Sequence, residues 1–266
     1  MTKPDKMGLT SEAAQGYEQL FVPAIFHQWP AKLINAAGIS PGDDVLDVGC
    51  GTGALTRELT AVVGEQGSVC GLDFSDSMLG VAREICPGVA FRQGNAMALP
   101  YLEASFDVVM SSFMLMFIPD PVQAICEMRR VLRPGGRLVV SVWRGVDNNT
   151  VYKALSEATR KVINDEAGDM MAWPNKLGDH DLLESLFQAA GAADTTITHY
   201  DGNASFPSVE DFVATEINAW LMAGKVSDEQ IAELTNELRA RVAGFASATG
   251  PITFPLNAYI AKTSMD

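Results

Sequence analysis

From about residue 43 the chain alternates short β-branched, apolar runs with stretches of helix-forming composition, the pattern of a parallel sheet covered on both faces. Asp43 to Val48 reads as a buried strand, Gly49-Cys50-Gly51-Thr52-Gly53 as a turn and Ala54 to Val63 as a helix. Ser68 to Asp73 is a second strand, and Ser75 is placed to cap a helix running to Ile85. Val89 to Gln93, Phe106 to Met110 and Arg137 to Trp143 complete five strands. A helix over Val122 to Leu132 is expected to stop at Pro134-Gly135-Gly136.

After residue 150 the pattern turns mostly helical, over roughly 150–165, 180–190, 208–223 and 227–246. Two strand-like runs interrupt it, Thr195 to His199 and Ile252 to Lys262. No repeat, low-complexity tract or Gly/Ser linker divides the chain, so all 266 residues are read as one domain. Its expected parts are a helical cap over 1–40, a core over 41–147, a helical lid with a late strand over 148–250 and a C-terminal strand over 251–266.

Composition changes this picture little, but charge narrows the partners. There are 19 Lys and Arg against 33 Asp and Glu, a formal charge of −14, with an acidic excess on both sides of residue 150. Nucleic acid and anionic membrane are therefore disfavoured as partners. Four cysteines without metal-ligand spacing fit a reduced, cytoplasmic setting. The N-terminus has no apolar leader, and the apolar window from Val108 to Ile118 is too short to span a bilayer. No metal site is expected, and the oligomeric state is not legible.

The candidate chemistry begins at the glycine turn. Strand, glycine-rich turn and helix let a ligand approach backbone closely, and Gly49-x-Gly51-x-x-Ala54 with Asp73 further on also satisfies a dinucleotide fingerprint. NAD and S-adenosylmethionine therefore compete. Asp47, two positions before Gly49, opposes a pyrophosphate and suits a cation, which favours the sulfonium. Neither a Tyr-x-x-x-Lys pair nor a Walker A loop is present.

Val45-Leu46-Asp47-Val48-Gly49-Cys50-Gly51-Thr52-Gly53 resembles motif I of the class I S-adenosylmethionine-dependent methyltransferases, in the branch similar to the ubiquinone/menaquinone C-methyltransferases. The likeness continues through Gly71-Leu72-Asp73-Phe74-Ser75, Gly94-Asn95-Ala96, Ser105-Phe106-Asp107-Val108-Val109 and Glu127 to Gly136, and is strong over about residues 40–145. It implies a Rossmann-like, doubly wound α/β fold with a mostly parallel seven-stranded sheet.

It also implies site roles. Gly49, Cys50 and Gly51 would hold the methionine portion through backbone, and Asp47 would organise its amino end. Asp73 would take the ribose hydroxyls, Phe74 and Met78 would pack on adenine, and Asn95 and Ala96 would read its edge. Ser111 would offer its carbonyl to the amino group, and Tyr17 would lie over the cofactor. The residues after the fourth strand, Ser111-Ser112-Phe113-Met114, lack the Asn/Asp-Pro-Pro-aromatic tetrad of amide and amine methylation, which turns the reading toward C- or O-methylation.

The expected activity is in-line methyl transfer to a small, largely apolar molecule under the lid. A nicotinamide oxidoreductase and a non-methylating binder of S-adenosylmethionine stay open beside it. Met114, Phe113 and Phe117, with Met110 and Met116, are either core or the wall of an apolar pocket. No base stands out: His27, His180 and His199 are candidates with ordinary structural explanations, and Glu216 and Asp211 read as a solvated helix face.

Overall fold

The computed structural model describes residues 9–217, 226–246 and 250–265. Its centre is a seven-stranded sheet built from β1 (Asp44–Val48), β2 (Ser68–Asp73), β3 (Ala90–Gln93), β4 (Phe106–Ser112), β5 (Leu132–Trp143), β6 (Thr196–Tyr200) and β9 (Ala258–Ser264). A separate two-stranded ribbon joins β7 (Asn203–Phe206) to β8 (Ile252–Pro255). The central order is β3-β2-β1-β4-β5-β9-β6, with β1 to β5 parallel and β9 antiparallel to both neighbours. The sheet is thus the expected Rossmann-like, mostly parallel one.

The strand order reverses between β1 and β4, and ligands of open parallel sheets bind outside the carboxyl ends of the strands at such a point. Val45, Leu46 and Val48 of β1 and Val108, Val109 and Met110 of β4 are buried, as parallel strands covered on both faces must be. Helices α3 (Ala54–Val63), α4 (Asp76–Ile85) and α5 (Pro121–Arg130) make the crossovers. The last two start where the side chains of Ser75 and Asp120 accept backbone N–H groups of the first turn.

The first described residues form α1 (Ser11–Gly16), a helical stretch Tyr17–Phe26 and α2 (Trp29–Ala37). Pro23 lies inside the middle stretch, which is wound wider than an α-helix, as in the bond from His27 N–H to the carbonyl of Val22. Proline removes a backbone donor and crowds the preceding turn, a recognised cause of such widening.

Several boundaries differ from expectation. In place of the one strand expected over 251–266, the described residues to 265 form two strands in different sheets, because Leu256 and Asn257 turn the chain between β8 and β9. The described residues of the lid region 148–250 carry two strands, β6 and β7, and β6 belongs to the central sheet. β5 begins at Leu132, since Leu132 pairs with Phe106 across a register shift before regular pairing resumes at Arg137. The helix expected over 150–165 is broken into α6 (Thr150–Val162) and α7 (Asp165–Ala172), where the Asn164 side chain caps the second piece. The remaining α-helices among the described residues are α8 (His180–Ala189), α9 (Val209–Glu216) and α10 (Asp228–Arg241). Residues 218–223 of the expected 208–223 helix lie outside the described residues.

Candidate active site

The loops after β1, β2, β3 and β4 and the end of β5 surround a cavity of about 510 Å³ at the carboxyl ends of the strands. It is closed on one side by Tyr17, Phe21 and Phe26 of the N-terminal segment and on another by Tyr152 of α6 and Glu216 of α9. Among the described residues that line it there is no Lys, Arg or His.

The glycine turn is built on positive φ angles, 74° at Gly49, 55° at Gly51 and 87° at Gly53, which side chains rarely tolerate. A Cβ at Gly49 would fall 2.2 Å from Cγ of Met114, so the turn and the segment after β4 are in direct contact. At Gly51 nothing lies within 4 Å of that position, and the residue lines the cavity.

The N–H groups of this turn face inward. Gly49 and Cys50 donate to the carbonyl of Leu72 (2.7 and 3.0 Å), Gly51 to Asp73 Oδ2 (2.8 Å) and Gly53 to the carbonyl of Cys50 (2.9 Å). A pyrophosphate needs such donors aimed at it. With these amides engaged and no cation in the lining, the turn does not fit a dinucleotide.

Its electrostatics fit a cation instead. Asp73 is on the cavity wall, with Oδ1 held by the N–H of Ser75 (2.8 Å) and Oδ2 by Gly51. Asp47 is fully buried beneath the turn rather than in the lining; Oδ2 accepts from the Thr56 hydroxyl (2.7 Å), and Oδ1 has no hydrogen-bond partner among the described residues. Burial pushes its pKa up to about 7, with the nearby Asp73 charge adding to the rise and the Thr56 hydrogen bond opposing it. A positive group above the turn would stabilise both carboxylates as anions.

The other expected contacts divide in two. Tyr17, Gly49, Gly51, Asp73, Phe74 and Met78 come together on the wall, as do Asn95 and Ala96. Asn95 Oδ1 accepts the N–H of Met97 (2.9 Å), and Phe74 is half exposed at the rim. Tyr17 packs between Phe21 and Phe26, both at 5.5 Å, and burial with Asp73 and Glu18 nearby holds its phenol protonated. Cys50 and Ser111 are buried outside the lining, and the Cys50 thiol is pushed up by burial, so it is no nucleophile.

None of the three histidines lines the cavity. His27 is exposed, His180 pairs with Asp181 at 3.3 Å, and His199 sits 3.3 Å from Arg144 and 3.2 Å from Asp201 on the surface. Asp211 is exposed, as expected of a solvated face. Glu216 corrects that reading: it is 5% exposed and on the cavity wall, where Oε1 accepts the Tyr152 hydroxyl at 2.6 Å. The signal lay in its spacing, four residues after the buried Phe212 and three after the buried Val213, which puts all three on one helix face.

The sequence offers Phe113 as a candidate pocket wall, but not its stacking on Trp143 nor the role of Glu18. Phe113 and Trp143 stack at 3.7 Å and 16°, with Trp29 edge-on to both, forming an aromatic wall. Phe113 holds φ at 51°, a costly conformation for a non-glycine residue, fixed by its N–H donating to Ser141 Oγ (3.1 Å) and to the Ser141 carbonyl (3.2 Å). Glu18 clasps the N-terminal segment to the turn, accepting from the Thr52 hydroxyl (2.5 Å) and Arg57 Nη1 (2.8 Å).

Comparison with known proteins agrees with this geometry. Residues 46–140 match a family described as a methyltransferase domain. A demethylmenaquinone methyltransferase of Shouchella clausii is 37% identical over 194 residues, covering 65% of this chain and 80% of that protein. One of Lactococcus lactis is 36% identical over 192 residues, covering 66% and 76%. The fold is shared with the YcgJ protein of Bacillus subtilis (TM-score 0.61, 17% identity, 90% of this chain and 98% of that one). It is also shared with a Haemonchus contortus phosphoethanolamine N-methyltransferase 2 in complex with S-adenosyl-L-methionine (TM-score 0.62, 17% identity, 98% and 59%). The chain belongs to the class I S-adenosylmethionine-dependent methyltransferases, in the branch of the ubiquinone/menaquinone C-methyltransferases.

Proposed function

We propose that this methyltransferase acts on a ring carbon of a small aromatic enol or hydroquinone. The observation that carries the reading is the aromatic wall: Phe113 stacked on Trp143, with Phe26 beside them, faces the same cavity as the glycine turn. Flat apolar rings suit a flat apolar acceptor. The names of the relatives from Shouchella clausii and Lactococcus lactis support a quinol-like acceptor.

S-adenosylmethionine supplies an electrophilic methyl group on a positively charged sulfur. Asp73 would accept hydrogen bonds from the ribose hydroxyls, its carboxylate being held on the cavity wall by the N–H groups of Gly51 and Ser75. Phe74 and Met78 would pack on the adenine, and Asn95 and Ala96 would face its edge. Asp47, with its unpartnered Oδ1, would stabilise the cationic end of the cofactor from beneath the turn, with Gly49 and Cys50 backbone and the Ser111 carbonyl nearby. Tyr17 and the Glu18 clasp would close the site from the N-terminal side and exclude water.

No described helix is long and apolar enough to cross a membrane, and all four cysteines are free thiols, which supports a reducing, cytoplasmic setting. The lack of Lys, Arg and His among the described residues that line the cavity supports a small-molecule acceptor rather than nucleic acid.

The test is incubation with methyl-labelled S-adenosylmethionine and a panel of naphthols, hydroquinones, amines and carboxylic acids, with products resolved by mass and NMR. Label on a ring carbon of an aromatic hydroxyl compound, with one equivalent of S-adenosylhomocysteine, is expected. Label only on nitrogen, or no transfer at all while the thioether still binds, would overturn the reading.

A further inference from the structure

Among the described residues, the helical region brings Tyr152, Asn175 and Glu216 as polar groups to the cavity wall, and Tyr152 and Glu216, 64 residues apart in the chain, meet there. Both are buried, and the Tyr152 hydroxyl donates to Glu216 Oε1 at 2.6 Å. Burying a carboxyl among apolar rings is costly unless it is paired or hydrogen-bonded, and here the Tyr152 hydroxyl supplies a hydrogen bond and no described cation a pair. Around the pair the packing is apolar: the Tyr152 ring meets Phe212 and Phe254 edge-on, at 5.7 and 5.9 Å. Nothing in the described fold requires an acid there, because no described cation pairs with it.

We propose that Glu216, oriented by Tyr152, takes the hydroxyl proton of the methyl acceptor, so that the acceptor enters as a neutral phenol or enol and becomes nucleophilic only inside the cavity. This rests on the reading of the acceptor as an aromatic hydroxyl compound. The acceptor O–H bond breaks with its electron pair left on oxygen, and the proton passes to a Glu216 carboxylate oxygen. Conjugation then raises electron density at the ring carbon that is methylated. Afterwards that carbon loses its own proton to water and Glu216 returns its proton to the oxygen. One proton is released per turnover and the carboxylate is restored.

Glu216 is tuned for this exchange. Burial raises its pKa to about 7, against a lowering by the Tyr152 hydrogen bond, so it can both take and return a proton near neutrality. Tyr152 itself is pushed well above the ordinary phenol range by burial and by Glu216, so it stays a donor and acts as a positioning residue. Among the described residues, the titratable groups around Glu216 are few. Tyr152 faces it from α6; α10, packed against α9, turns Arg239 to Glu210 at the exposed start of α9; and β7, packed on α9 as well, carries no titratable side chain.

The test uses the protein loaded with S-adenosylhomocysteine and two probes of similar size, 2-naphthol and the cationic 2-naphthylmethylamine, titrated on either side of neutrality. Wild type is expected to bind 2-naphthol about tenfold more tightly on the alkaline side, where Glu216 is a hydrogen-bond acceptor. Glu216→Gln should abolish that dependence while keeping the affinity for S-adenosylhomocysteine. Tyr152→Phe should move its midpoint to higher pH, because the bond that lowers the Glu216 pKa is gone. Glu210→Gln, on the exposed side of the same helix, should change nothing.

A pH dependence that survives in Glu216→Gln would overturn the proposal, as would a dependence seen with the amine and not with the naphthol. Methyl transfer to amines alone, with 2-naphthol still binding through Glu216, would overturn the acceptor reading and leave the proton-accepting site standing.

Discussion

The two halves of the cavity are built on different principles. The cofactor half hangs on loops after β1, β2 and β3, and its polar contacts are mostly backbone held by backbone or by one carboxylate. The acceptor half draws side chains from the N-terminal segment, the ends of β4 and β5, α6 and α9, and its only described acid is Glu216. A half made of backbone turns depends on a few glycines and acids at fixed spacing. A half made of packed side chains depends on tertiary placement, and can change its ligand without touching the turn.

The sharpest way to break this comparison is Asp73→Ala. It removes a carboxylate that accepts from the N–H groups of Gly51 and Ser75 and that, on the proposed function, would accept the ribose hydroxyls. Two charge-assisted hydrogen bonds lost together should lower affinity for S-adenosylhomocysteine by about a hundredfold or more, measured by calorimetry.

Next come the glycines, which separate fold from binding. Gly49→Ala places a methyl 2.2 Å from Met114 at a φ of 74°, and should cost on the order of 3 kcal/mol in denaturant unfolding. Gly51→Ala meets nothing within 4 Å, so its stability cost should be only about 1 kcal/mol for the backbone angle. Its methyl would intrude on the cofactor, and binding should fall by more than stability does. Equal losses of stability in the two variants would contradict the placement of Met114.

These effects show why one half was legible in the sequence. β1 to β4 and the turn rest on local signals: apolar runs, glycines at positive φ and acids at the ends of strands. Glu216 was not read correctly because a carboxylate on a helix is ordinarily solvated; only the contact with Tyr152, 64 residues away, makes it part of a wall. β7 is not legible for the same reason, and β8 reads as the start of one strand with β9, since the ribbon's strands are four residues each and pair across about fifty residues of chain. Glu18, too, is polar by type, and its meeting with Thr52 and Arg57 is a tertiary event.

Glu216→Gln tests the acceptor half through stability. The folded-state pKa is raised from 4.5 to about 7, so the folded protein holds this proton more tightly than the unfolded chain. The carboxyl's contribution is therefore full below the unfolded value and is lost as pH rises through about 7. Glutamine removes that loss, and the variant should be more stable than wild type by about 2 kcal/mol on the alkaline side, with no gain in acid. Urea unfolding at several pH values checks the sign; a variant less stable than wild type at alkaline pH would show that the carboxylate is compensated.

The smallest expected effect is at the clasp. Glu18→Gln keeps an acceptor for Thr52 but removes the ion pair with Arg57, whose side chain is partly exposed, so about 1 kcal/mol or less of stability should be lost. Dissociation of S-adenosylhomocysteine, followed by stopped flow, should quicken by a few-fold as the cover loosens.

The division of the cavity is tested most directly by calorimetry of S-adenosylhomocysteine on wild type, Asp73→Ala and Glu216→Gln in one buffer. The expected result is an affinity lowered about a hundredfold or more by the first substitution and within about twofold of wild type for the second. Comparable losses in both, with the fold intact by circular dichroism, would contradict the assignment of Asp73 to the cofactor and Glu216 to the acceptor.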